Sequence, residues 1–119
     1  AGYGGQAVSA ITAHNIRMGE HPNKTRVVVD VSDQVAFRYD VDNNEQILVV
    51  EMGGVNWAAA PEMLVQNSPN VGAFMAVPDG QGGTQLAFQL KRPVQVVWAE
   101  YLPPTGGNGP RVVFDIAPI

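Results

Sequence analysis

Apolar and polar residues alternate along most of the chain. Val27, Val29 and Val31 point one way, and Arg26, Val28 and Asp30 the other. Val35, Phe37, Tyr39 and Val41 then share a face, with Ala36, Arg38 and Asp40 opposite. A two-residue period marks strands with one buried face. The pattern predicts a hairpin in which Val31 pairs with Val35, Val27 lies opposite Tyr39, and Arg26 faces Asp40 as an outer ion pair. A strand is expected over Val8 to Met18, rich in Val, Ile and Thr. A turn follows at Gly19-Glu20-His21-Pro22-Asn23-Lys24. Further strands are predicted at Gln46–Met52, with Leu48, Val50 and Met52 inward, and at Val71–Val77. The Gly-rich stretch 1–7 reads as a flexible lead-in. Residues 53–70 form a connector in which Ala58–Leu64 favours a turn or two of helix, limited by Pro61.

The second half repeats the first. Thr84 falls on Thr25, and Leu86, Phe88 and Leu90 fall on Val27, Val29 and Val31. Val94, Val96 and Trp98 fall on Val35, Phe37 and Tyr39, which sets Tyr39 and Trp98 as equivalent inward residues. After a longer loop at Pro103–Gly109, Val112, Phe114 and Ile116 match Leu48, Val50 and Met52, and Asp115 falls on Glu51. The repeat halves span about residues 8–52 and 71–117. Two half-buried sheets bury their apolar faces most simply on each other. The expected fold is therefore all-β: a β-sandwich of two small sheets with an internal pseudo-two-fold duplication, one domain over 8–119.

Composition narrows the function. At 119 residues, 45% hydrophobic and 15% charged, the chain can build a core. A net charge of -4 with scattered Lys and Arg argues against nucleic-acid binding. The absence of cysteine excludes disulfides and thiolate chemistry. No apolar run approaches the ~20 residues of a membrane helix, so no membrane insertion is expected. His14 and His21 have no ligand spacing for a metal. Ser9, Ser32 and Ser68 lie in no nucleophile elbow. Asp40 with Asp42, and Asp30 with Asp33, flank turns as solvated acids rather than as an acid-base pair. No catalytic residue, metal or cofactor is expected. Arg17, Arg26, Arg38 and Arg111 remain as outward guanidinium groups suited to carboxylates. Trp57, in the connector, is a candidate stacking residue.

Thr25-Arg26-Val27-Val28-Val29-Asp30-Val31-Ser32, preceded by Arg17-Met18-Gly19-Glu20-His21-Pro22, resembles the AMIN domain. Pro110-Arg111-Val112-Val113-Phe114-Asp115-Ile116 resembles that family's closing strand. The resemblance covers about residues 8–117. Gln46 and Ile47 stand where the family often has an arginine. The resemblance implies a symmetric two-sheet sandwich, found ahead of the zinc-dependent catalytic domain of periplasmic N-acetylmuramoyl-L-alanine amidases and in secretin proteins. It implies a non-catalytic, septal, peptidoglycan-binding role, with Arg17, Arg26, Arg38, Arg111 and Trp57 as binding residues. Two rivals are a module that recruits a divisome or secretin partner by strand addition, and a small glycan-modifying enzyme that lacks an acid-base pair.

Overall fold

The computed structural model describes residues 11–119; the lead-in over 1–7 and the first residues of the strand expected from Val8 lie outside the described residues. The strands are β1 (Ile11–His21), β2 (Lys24–Val31), β3 (Phe37–Asp42), β4 (Ile47–Met52), β5 (Val55–Trp57), β6 (Glu62–Leu64), β7 (Val71–Pro78), β8 (Thr84–Leu90), β9 (Val94–Leu102) and β10 (Arg111–Pro118). They form two five-stranded sheets, ordered β5-β1-β2-β10-β9 and β3-β4-β8-β7-β6. We call these the first and second sheets. The chain is thus an all-β sandwich.

The inward positions of the alternation make the core. Val27, Val29, Val31, Val112, Phe114 and Ile116 come from the first sheet; Leu48, Val50, Met52, Leu86, Phe88 and Leu90 come from the second. Phe88 meets Phe74 at 5.2 Å between ring centroids, and Phe114 edge-on at 5.5 Å. This aromatic contact ties the two sheets together.

The predicted hairpin is not one. β2 pairs with β1 and β10, whereas β3 pairs with β4 in the other sheet. Residues 32–36 carry the chain across the sandwich, with Val35 buried between the sheets. A pair of strands with one apolar face each can pair edge to edge or stack face to face. Here both edges of β2 are taken, so stacking buries the two faces. Arg26 consequently lies opposite Asp115, not Asp40, and Asp40 lies opposite Val49.

The duplication survives this change, and the two central ladders, β2–β10 and β4–β8, match in register. In the first sheet Thr25, Arg26, Val27 and Val29 face Ile116, Asp115, Phe114 and Val112. In the second sheet their sequence equivalents Thr84, Gln85, Leu86 and Phe88 face Met52, Glu51, Val50 and Leu48. The β1–β2 ladder shifts register between Ala13 and Asn15, and the β7–β8 ladder shifts between Val71 and Ala73. Each half therefore gives two strands to one sheet and two to the other, and the halves interlock.

The connector forms no helix. Val55–Trp57 runs parallel to β1, and Glu62–Leu64 pairs with β7. Ala58 N–H donates to Ala13 C=O at 2.8 Å, which holds the Ala run against an open sheet edge instead of in a helix. The equivalent threonines pin its ends. Thr84 Oγ1 donates to Val55 C=O at 2.8 Å, while Thr25 Oγ1 lies 3.0 Å from Ser68 Oγ and accepts from Asn70 Nδ2 at 3.0 Å. All four of these side-chain partners are buried, so their hydrogen bonds are needed.

Candidate functional site: the outer face of the first sheet

The outward residues of β1, β2, β10 and β9 form three rows across the first sheet. The register aligns Asn15, Asp30, Arg111 and Leu102; then Arg17, Val28, Val113 and Glu100; then Gly19, Arg26, Asp115 and Trp98. Three of the four arginines singled out in the sequence thus share one surface.

Two of them are engaged. Arg17 donates to Asp30 Oδ1 at 2.9 Å and Oδ2 at 3.2 Å, and Asn15 Nδ2 also donates to Oδ2. Arg26 grips Asp115 in a fork, with Nε to Oδ1 at 2.9 Å and a terminal nitrogen to Oδ2 at 3.1 Å. Lys24 Nζ adds a third bond to Asp115 at 3.0 Å. Asp115 is only 2% exposed. The Arg26 hydrogen bond holds its carboxyl below the usual aspartate range, helped by Lys24 and opposed by burial. The same hydrogen bond raises the Arg26 guanidinium above its ordinary value. Arg111 differs. It donates to Gly109 C=O at 3.1 Å and forms no ion pair with a carboxylate among the described residues.

Trp98 joins this face, contrary to the inward position expected of it. The β9–β10 ladder runs Trp98 opposite Asp115 and then Val96 opposite Ile116, so Val97 is an extra residue. This bulge lets Val97 and Trp98 both point outward, 52% and 38% exposed. Arg26 sits 5.6 Å from the Trp98 ring centroid, a cation–π contact. The sequence held one signal of this: Val96-Val97-Trp98-Ala99 is an unbroken apolar run that interrupts the alternation.

Arg38 and Trp57 lie elsewhere. Arg38 is on the second sheet and pairs with Glu51. Trp57 packs on Phe74 at 5.7 Å between centroids, and its indole N–H donates to Ala60 C=O. It is a half-buried residue packed against the core. Tyr39 shares the core-facing side with Val50 but stands on the outermost strand, 47% exposed. His14 and His21 are both exposed. Among the described residues no group of three His, Asp or Glu side chains could hold a metal. No helix there is long and apolar enough to cross a membrane.

The four sheet edges are blunted in different ways. β5 and β6 have three residues each, β9 carries the bulge, and β3 presents Arg38, Asp40 and Asp42 outward. Such strands resist strand addition, but β5 covers only Ile11–Ala13 of β1, so Asn15–His21 keeps an open edge.

No protein-family model matches the chain, and no curated protein shows a significant match to it.

Proposed function

We propose that this domain is a non-catalytic peptidoglycan-binding module that places a periplasmic cell-wall amidase at the division septum, and that the outer face of the first sheet is its binding surface. The observation that carries the reading is that one outer face holds both a partly exposed Trp98 and Arg111, a guanidinium with no ion pair among the described residues. Peptidoglycan presents sugar rings beside peptide carboxylates. An indole face suits a sugar ring, and a guanidinium fork suits a carboxylate. Trp98 and Arg111 lie on neighbouring strands, four residues apart along β10 by register, or roughly 13 Å at a strand's rise per residue. The resemblance to the AMIN domain supplies the cellular setting of this reading: amidase, periplasm and septum.

Co-sedimentation with purified peptidoglycan sacculi tests it. Arg111→Ala should lower the pelleted fraction several-fold without shifting the thermal melt, and Trp98→Ala should lower it too, with the melt followed beside it because the indole also packs on Arg26. Arg26→Ala is the wrong probe, since it strips the buried Asp115 of its main partner. Wild-type protein that stays in the supernatant at low salt, or variants that pellet like wild type, would sink the reading.

A further inference from the structure

The outer face of the second sheet is the symmetry counterpart of the arginine face, and its centre, from β4 to β6, is largely apolar. By register, Met75 stands where the first sheet has Arg17, Ile47 where it has Arg111, Ala87 where it has Val28, and Gln85 where it has Arg26. The duplicated fold does not require an apolar surface there, because the equivalent face is polar. Leu64 is 78% exposed and Met75 48%.

These residues shape a trough of about 720 Å³. Ala73 on β7 and Ala87 with the exposed Gln89 on β8 make the floor, Gln89 in line with Ala73, while Ile47 on β4 and Leu64 on β6 make the walls. The walls are three strand spacings apart, roughly 14 Å. An α-helix with its side chains is about 10–12 Å across. The charged side chains that line the trough are both acids, Glu45 and Glu62. On the β3 side, Asp40 and Asp42 lie opposite Val49 and Ile47 and extend the acidic rim.

We infer that this trough docks an amphipathic α-helix of a partner protein, one with an apolar stripe flanked by lysine or arginine. Ala73, Ala87 and Ile47 take the stripe, Met75 adapts to the stripe's side chains, and the acidic rim selects basic flanks. This occupant matches the trough's width and its charge at once. The trough is on the opposite side of the sandwich from Trp98 and Arg111, so the two surfaces can be occupied together.

The test uses the 119-residue protein and two synthetic helical peptides with the same Leu stripe, one flanked by Lys and one by Glu. The Lys peptide should bind, with NMR shifts centred on Ala73, Met75 and Ala87, and the Glu peptide should bind at least about tenfold more weakly. Leu64→Lys and Glu62→Lys, made separately at exposed positions, should each weaken the Lys peptide about tenfold while the thermal melt stays put. Equal binding of both peptides, shifts mapping to the first sheet, unchanged binding by both variants, or no binding of the Lys peptide would each overturn the inference. Sacculus pelleting should be unaffected by Leu64→Lys, which separates this surface from the peptidoglycan reading.

Discussion

Asp115 shows how a single position came to differ between the halves. Its counterpart Glu51 is exposed and paired with the exposed Arg38, whereas Asp115 is buried under Arg26 and Lys24. An exposed ion pair adds little to stability, while a buried carboxylate depends on its partners. The carboxyl of Asp115 is held below the ordinary aspartate value, so the folded state binds fewer protons than the unfolded one. Its contribution is therefore complete above about pH 4, the unfolded value, and is lost as the pH falls through the lower, folded value. Asp115→Asn should cost about 1–3 kcal/mol at pH 7. Urea unfolding should show that gap narrowing as the pH drops below about 4, because the wild type then loses the same charge. A gap constant with pH would show that the carboxylate charge is not what stabilises the site. At this scale the sequence indicated which side chains were outward and basic. It did not show that Arg26 and Arg17 were already committed to Asp115 and Asp30, because those partners come from strands chosen by the fold.

At the scale of elements, alternation located β2, β4 and β8 well because each is a clean amphipathic strand; β7 and β10 were found by their Val, Phe and Ile content, since β7 bulges and β10 is buried on both faces. Alternation failed where a ladder bulges. One extra residue inverts every following side chain, and in β9 this took Trp98 out of the core and onto the arginine face. The connector was also opaque. Ala58–Leu64 has helix-forming residues, but pairing of its ends with β1 and β7 outweighs a weak local preference over so few residues. The bulge also protects an edge. Deleting Val97 should leave the pairing of Trp98 with Asp115 intact, keep the indole open to quenchers, and give β9 a regular, unprotected ladder. Size-exclusion chromatography with light scattering should then show self-association. A monomer would mean that β9 is guarded by something other than its bulge.

At the scale of the molecule, the halves are interlocked rather than side by side. Residues 11–52 alone contain the hairpins β1–β2 and β3–β4, and these belong to different sheets. The pairings that complete both sheets, β2 with β10 and β4 with β8, cross between halves. Isolated two-stranded hairpins are marginal in water. Fragments 11–52 and 53–119 should each lack a cooperative thermal transition, and mixing them should restore strand circular dichroism and one transition. A fragment that melts cooperatively by itself would show that a half is self-sufficient. The pairing of distant segments also favours slow folding relative to a helical chain of this size.

The sequence by itself determined the all-β class, the inward faces of most strands and the duplication, because a period of two and a repeated turn pattern are local properties. Only the tertiary structure decided that β2 and β3 stack across the core instead of pairing. That choice depends on which strand edges are already occupied, and occupancy is a long-range fact. The same long-range facts separated the two outer faces. They gathered Arg17, Arg26, Arg111 and Trp98 on one, and left a largely apolar trough with acidic side chains at its margins on the other.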